Sequence, residues 1–414
     1  MIVYLVATLI ACALAWQGTR SGRRWPWFVA AAIPLTLVSA LRWDVGTDFY
    51  YTYYPRFLAM ECRNLGGTEE LVNGIIGPLF ARLQKGPPAT VLSCYRAYCQ
   101  AFDSQEPGLS LLMEFASRCG LGFRGVVVIT ALLVGLGVFL AVYRQSRSPV
   151  LAIYLYVATS NYFLGLNIIR QYLAIVLLLV AVEFIVRRQL LHFLTCIAVA
   201  TLFHRSAIVL YPCYLLAFLA IRPWQGVVLV SVALLFSAIA EPMALWTLPK
   251  IGLERYCLYF GQNSHFVHDG FERVFFAINL TFMALGACYW RQAKERSPYF
   301  TIWYGMTVIG TVALAFSGSL PLMKRINFYF AAPQFLLLPE ILLAESRVGL
   351  RRILTVLVVI GFALETFVAV CVYNKNEVLP YGISCRPDHA RKRVRAARPF
   401  GWCKSKRIWY NTMK

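Results

Sequence analysis

The chain has 414 residues, of which 59% are hydrophobic and 14% are charged, and its mean hydropathy is +0.61. A soluble domain carries about 25% charged residues, so this composition excludes a soluble enzyme, a disordered chain and a coiled coil. The formal net charge of +21 would suit a nucleic-acid-binding protein, but the hydropathy excludes that class as well. The composition therefore predicts an all-α polytopic membrane protein.

Apolar runs predict about twelve transmembrane helices, since roughly 20 apolar residues are needed to cross ~30 Å of hydrocarbon. The predicted spans are 2–16, 25–41, 121–143, 149–166, 168–186, 190–203, 206–221, 226–247, 272–290, 299–318, 327–343 and 353–373. We predict one transmembrane domain over residues 1–373 and a basic tail over 374–414. Two polar loops are expected on the outer side, at 42–108 (between the second and third spans, with short helices) and at 248–271.

Basic residues set the predicted orientation, because loops rich in Lys and Arg stay on the inner side. The first span has no basic residue before it and is followed by Arg20, Arg23 and Arg24, which predicts a retained anchor with its N-terminus outside. An even number of spans also places the basic tail outside, against the same rule. Either the count is off by one or the tail is an exterior basic arm.

Five polar groups fall on the outer side of this topology, at or near the ends of spans. They are Arg42 to Asp48, Gln105 to Gly108, Asn167 to Gln171, Phe203 to Ser206 and Lys324 to Phe330. Ionisable groups beside or within spans are costly to bury and are functional by default. Five such groups on one side of the membrane predict a shared site.

Arg170 is the strongest cationic candidate. Asn167, Arg170, Gln171 and Ala174 are spaced i, i+3, i+4 and i+7, which predicts one stripe of a helix. The planar guanidinium suits a phosphate or carboxylate ligand. Alternatively, Arg170 snorkels to the headgroups or pairs with Glu106 for helix packing.

His204 and its neighbour Arg205 form the second candidate, with either a catalytic or a hydrogen-bonded structural role for the histidine. Arg325 opens a predicted helix beside Tyr329, where it could serve the site or anchor the helix at the interface.

The first outer loop offers acids and tyrosines. Asp44 and Asp48, spaced i, i+4, could bind a divalent metal or accept protons, or could belong to an ordinary turn. The tyrosine run that contains Tyr50 and Tyr53 could stack on sugars or form an interfacial belt.

With these residues in place, the chain resembles the EpsG-like branch of the Wzy polysaccharide polymerases. Six elements occur in that family's order: Arg42 with Val45-Gly46-Thr47-Asp48, Glu106-Pro107-Gly108, Arg170-Gln171 with Ala174, Phe203-His204-Arg205-Ser206-Ala207, Arg325 with Tyr329-Phe330, and Pro380-Tyr381. Phe49 and Leu109 depart from the family, which commonly has tyrosine at both places. The final element favours an exterior tail.

The resemblance implies a multi-pass glycosyltransferase of the bacterial inner membrane that polymerises capsule, exopolysaccharide or O-antigen. Its substrate would be an undecaprenyl-pyrophosphate-linked oligosaccharide on the periplasmic face, which makes the outer loops periplasmic. Candidate protein partners are a chain-length regulator and a flippase; no nucleic-acid partner is expected.

Under this reading each candidate residue has a role. His204, Asp48 and Glu106 are the candidate catalytic residues, with His204 the first choice of base. Arg170, Arg325, Arg42 and Arg205 are expected to bind pyrophosphate, and Gln171, Asn167, Tyr50 and Tyr53 to bind sugar. Because arginines can stabilise the leaving group, no cofactor or obligatory metal is expected.

Two other functions remain open. A flippase or exporter of lipid-linked oligosaccharide would place its arginines along a cavity reached from both faces. A metal-dependent transferase that uses a polyprenyl-phosphate sugar would bind its ion through Asp44 and Asp48.

Overall fold

The computed structural model describes residues 1–64, 106–252, 257, 260 and 272–383. The described residues are predominantly helical and contain no strand, which confirms the all-α prediction. Most of the first predicted outer loop (residues 65–105), most of the second, and the tail from residue 384 onward lie outside the described residues.

Six of the described helices are long and apolar enough to cross a membrane, and three bent helix pairs raise that number to nine. The chain is therefore a multi-pass membrane protein. Three shorter apolar helices coincide with the remaining predicted spans, at 190–203, 206–221 and 299–318. The count of about twelve crossings stays a prediction.

The described residues fall into two compact units, and the single transmembrane domain stays a prediction. The first unit comprises residues 1–217 and 338–383. Its helices are α1 (Ile2–Arg20), α2 (Arg24–Leu41), α3 (Tyr54–Asn64), α4 (Pro107–Arg118), α5 (Gly122–Gln145), α6 (Pro149–Ala158), α7 (Asn161–Asn167), α8 (Ile169–Val186) and α9 (Leu190–Phe203), with a 3₁₀ segment at Arg205–Ala217 and a π turn at Phe49–Tyr53.

The second unit comprises residues 218–337. Its helices are α10 (Pro223–Thr247), α11 (Arg273–Cys288), α12 (Trp290–Arg296), α13 (Phe300–Ala315) and α14 (Met323–Ala331). Helix α15 (Gln334–Ala344) begins in this unit and ends in the first, which also contains α16 (Val348–Phe367).

Local sequence explains where several helices begin and break. Proline occupies the first position of α4, α6 and α10, where its missing N–H costs nothing. Ser160 has a left-handed φ of 61° between α6 and α7, and the two helices differ in direction by 52°. Pro212 lies inside the 3₁₀ segment, where it removes one backbone donor from a regular α-helix.

An apolar cluster in the first unit holds α3, α4, α5 and the start of α8 together. Its buried members are Phe49, Tyr53, Phe57, Met60, Leu109, Met113, Ala116, Phe123, Val126, Val127, Ile169 and Leu173. Aromatic rings pack edge to face at its centre, with Phe49 and Phe123 centroids 5.2 Å apart. The cluster therefore fixes the first turns of α4 and α8 relative to each other.

Gly108, in the first turn of α4, allows this helix to touch the end of α9. A Cβ atom at this position would lie 2.9 Å from the Phe203 ring and 3.0 Å from the Leu202 carbonyl oxygen. Real Cβ atoms do not approach so closely, so only glycine allows the two helix ends to meet.

We therefore expect Gly108→Ala to lower the Tm of the purified protein by several degrees, because α4 must move away from the α9 backbone. Gly349→Ala is the matched control, since its Cβ would meet open space on α16 and alanine favours a helix. Thermal unfolding in detergent measures both variants. Equal Tm values for the two variants would contradict the close contact at Gly108.

Candidate functional site

The carboxylate of Glu106 lies at the centre of the candidate site, and its side chain is only 7% exposed. Oε2 forms a salt bridge with the Arg170 guanidinium, and Oε1 lies 2.6 Å from Nδ1 of His204. The backbone N–H of Arg205 also donates to Oε1, at 3.2 Å. One buried carboxylate thus joins the beginnings of α4 and α8 to the end of α9.

The local sequence explains how these three groups converge. Glu106 is the residue before α4, whose first position is Pro107. Arg170 is the second residue of α8. His204 ends α9 in an extended conformation, with φ of −149° and ψ of 113°. All three side chains therefore leave helix ends, and Gly108 permits the close approach.

The environment of Glu106 favours its ionised form. Burial alone would raise its pKa, but the hydrogen bond with His204, the charge of Arg170 and the Arg205 N–H together hold the pKa of Glu106 below its ordinary value of 4.5. Because an ionised carboxylate can only accept a hydrogen bond, Nδ1 of His204 must be the donor, and a neutral His204 ring then carries its proton on Nδ1. The other ring nitrogen, Nε2, is then a proton acceptor.

Arg170 stays partly accessible after pairing with Glu106. Its side chain is 23% exposed, and its Nε has no hydrogen-bond partner among the described residues. The guanidinium carbon lies 6.0 Å from the Tyr53 ring centroid. The Tyr53 hydroxyl and the Asp48 carboxylate also interact electrostatically with Arg170. A cation in this setting can still receive an anionic ligand.

Arg42 and Tyr53 are buried beside this cluster, each 2% exposed. Arg42 Nη1 donates to the Ser39 carbonyl oxygen at 3.1 Å, and its charge interacts with the hydroxyl groups of Tyr53 and Tyr162. The structure therefore places Arg42 inside the bundle, one tyrosine away from Arg170. The predicted roles of Arg42 in pyrophosphate binding and of Tyr53 in sugar binding stay predictions.

Asn167 and Arg170 do not share one helix, so the prediction of a single helical stripe is wrong. Helix α7 ends at Asn167, and Ile168 has φ of −90° and ψ of 58°, which is not helical, before α8 begins. Asn167 Oδ1 instead accepts the backbone N–H of Asp48 at 2.9 Å. Gln171, in the first turn of α8, is buried at 4% exposure. The predicted sugar contacts of Asn167 and Gln171 stay predictions.

The other predicted site residues are placed as follows. The Arg205 side chain is exposed, and its backbone N–H contacts Glu106. Arg325 is exposed on α14 of the second unit, so its proximity to Arg170 stays a prediction. Its neighbour Lys324 forms an ion pair with Glu272 at 2.8 Å. The side chain of Tyr50 lies outside the described residues.

Asp44 has a positive φ of 58°, which is a turn conformation. Within the described residues, no group of three His, Cys, Asp or Glu side chains could hold a metal ion.

Sequence reasoning missed Arg124, and it named Pro380-Tyr381 after the last helix without giving that segment a structural role. The Arg124 guanidinium contacts backbone carbonyl groups from two distant segments. An arginine near the start of an apolar span has the pattern of an ordinary interfacial anchor. Its closeness to Trp43 could be found only from the fold.

The fold and site define a multi-pass membrane protein with a buried Glu–His–Arg cluster at one end of a helix bundle. The EpsG family pattern matches residues 25–383, so the chain belongs to the EpsG family. No curated protein and no solved structure matches the chain. Membership supports a polysaccharide-polymerase-like role in general, and the matched region includes all the candidate site residues.

The lowered pKa of Glu106 predicts a specific acid dependence of stability. Because the folded-state pKa is depressed, the carboxylate stabilises the protein above the ordinary pKa of 4.5, and this contribution is lost as the pH falls through the folded-state value. The Tm difference between the wild type and Glu106→Gln should therefore be large at pH 7 and shrink under acid.

Glu114→Gln on the same helix is the control, because Glu114 pairs with Arg118, whose side chain is 77% exposed. Such surface pairs contribute about 0–1 kcal/mol, so this variant should shift the Tm little at pH 7. A Tm difference for Glu106→Gln that stays constant down to pH 3 would contradict the ionised carboxylate.

Proposed function

We propose that the chain is a polysaccharide polymerase that joins two polyprenyl-diphosphate-linked glycans. A hydroxyl group of one glycan attacks the anomeric carbon of the other, the bond from that carbon to the diphosphate breaks, and the polyprenyl diphosphate leaves. The observation that carries the proposal is the shared Glu106 carboxylate, which contacts both Arg170 and His204.

His204 is the proposed general base. Glu106 accepts the hydrogen bond of Nδ1, which orients the ring and leaves Nε2 to take the proton of the attacking hydroxyl. Ionised Glu106 also stabilises the imidazolium that forms. A third group that orients the base in this way is the arrangement that activates hydroxyl nucleophiles in other enzymes.

Arg170 is the proposed ligand of the leaving diphosphate. Negative charge grows on the diphosphate oxygen as the glycosidic bond breaks, and a preorganised guanidinium stabilises that charge. Part of the Arg170 side chain is exposed, so a diphosphate oxygen can approach the guanidinium. Arg325 is proposed as a second cation for the same group.

We place this reaction on the periplasmic face of the bacterial inner membrane, with undecaprenyl pyrophosphate as the lipid carrier. The family match and the apolar helices support a membrane site of polysaccharide synthesis. The short basic loops on the opposite side of the predicted topology support a periplasmic orientation of the Glu106 cluster.

The test is polymerisation of purified lipid-linked repeat units by single-site variants in detergent. His204→Ala should lower the rate by about 100-fold or more, because the proton acceptor is lost. Arg170→Ala should lower the rate by about the same factor. Arg170→Lys should recover part of the rate, since lysine keeps the positive charge but lacks the planar guanidinium that binds two oxygens at once. Arg325→Ala is expected to lower the rate as well.

Two variants serve as matched controls. His192 lies on α9, the helix that ends at His204. Its side chain is exposed and stacks on Phe184. Arg118 is an exposed arginine of α4. His192→Ala and Arg118→Ala should polymerise at close to the wild-type rate. Folded His204→Ala or Arg170→Ala protein that also polymerises at that rate would refute the corresponding assignment.

A further inference from the structure

Arg124, near the start of α5, holds two distant parts of the chain together. Its Nη1 donates to the carbonyl oxygens of Leu41 at 3.0 Å and Arg42 at 3.3 Å, and its Nη2 donates to that of Ile383 at 2.9 Å. The guanidinium carbon also lies 4.8 Å from the ring centroid of Trp43. One side chain thus satisfies carbonyl groups at the end of α2 and in the segment that follows α16.

The segment 374–383, here called the strap, pairs directly with the loop that follows α2. The Trp43 N–H donates to the Gly382 carbonyl oxygen at 2.6 Å, and the Gly46 N–H donates to that of Glu377 at 3.2 Å. A Cβ atom on Gly382 would lie 2.9 Å from the Trp43 carbonyl oxygen. The pairing therefore requires the close approach that glycine allows.

Two tyrosine hydroxyls join the strap to the bundle. Tyr4 donates to the Val378 carbonyl oxygen at 2.9 Å, and Tyr381 donates to that of Val38 at 2.8 Å. The strap is thus attached to α1 and α2 as well as to the loop between α2 and the π turn.

The same loop leads into the candidate site. Asp48, two residues after Gly46, interacts electrostatically with Arg170. Its backbone N–H donates to Asn167, whose Nδ2 in turn donates to Asn376 Oδ1 of the strap at 3.3 Å. Hydrogen bonds through Asn167 therefore connect the strap to Asp48 and to the end of α7, directly before the break at Ile168.

We propose that Arg124 is a positioning residue that clamps the strap onto the loop of residues 42–48, and that this clamp sets the position of Asp48 and Arg170. The proposal rests on the proposed function, because the positioning matters only if Arg170 binds the leaving group. Displacement of a catalytic group by about 1 Å can lower a rate by about 100-fold. The loss should therefore appear in kcat rather than in the amount of folded protein.

The experiment combines two measurements on the purified full-length chain. Arg124→Gln should raise the hydrogen-exchange rate of peptides that cover residues 42–48 by at least about tenfold. The reason is that the N–H groups of Trp43 and Gly46 would lose their hydrogen bonds to the carbonyl groups of the strap. The kcat of polymerisation per folded molecule should fall by about tenfold or more, with KM within about threefold of the wild-type value. Arg124→Lys should recover part of both losses.

Arg118→Gln is the matched control and should leave both measurements unchanged. Gly382→Ala is a second route to the same defect if Arg124→Gln does not fold. Its control is Gly361→Ala, whose Cβ would meet open space.

If the hydrogen-exchange rate of residues 42–48 is the same in Arg124→Gln as in the wild type, Arg124 does not clamp the strap, whatever reaction the chain catalyses. Faster exchange with a wild-type kcat would overturn the positioning role. A wild-type chain that makes no polymer would instead overturn the proposed function, and with it the positioning role, while the exchange data would still report on the clamp.

Discussion

A buried carboxylate needs compensation, and this requirement organises the first unit. Moving an ion out of water costs several kcal/mol, so Glu106 is stable only where donors replace its hydration. Arg170, His204 and the Arg205 N–H supply them, and they come from helices that are remote in sequence. The beginnings of α4 and α8 and the end of α9 must therefore meet. Gly108 makes that meeting sterically possible, and the apolar cluster around Phe123 holds the helices there.

The same interaction connects the fold to the proposed chemistry. Glu106 fixes the tautomer of the neutral His204 ring, so Nε2 is left as the proton acceptor of the proposed reaction. It also offsets the charge of Arg170 in the resting protein, which lowers the cost of holding a guanidinium at a helix start in a membrane. In the proposed reaction, an incoming diphosphate would add negative charge beside a cation already in place. Arg124 and the strap act on this centre only indirectly, through the loop that ends at Asp48.

Much of this arrangement could be predicted from the sequence, and the exceptions have physical causes. Ionisable residues at the ends of apolar runs pointed to Glu106, Arg170 and His204, because such groups are costly to bury, and the structure brings the three side chains together. The helix break at Ile168 could not be predicted, since no proline or glycine occupies it. Three of the predicted spans form helices of fewer than 18 residues, one of them a 3₁₀ helix, so the number of membrane crossings stays a prediction. The contacts of Arg124 could not be predicted from the sequence, because its partners are backbone carbonyl groups, which every residue type has.

The central claim is that Glu106 and His204 act as one unit, and a double-mutant cycle on the polymerisation rate tests it most directly. Residues that act as a unit have strongly non-additive effects. The account predicts that Glu106→Gln and His204→Ala each lower the rate, and that the double variant is about as slow as His204→Ala alone. Losses that multiply in the double variant would contradict the account, because the two side chains would then contribute independently.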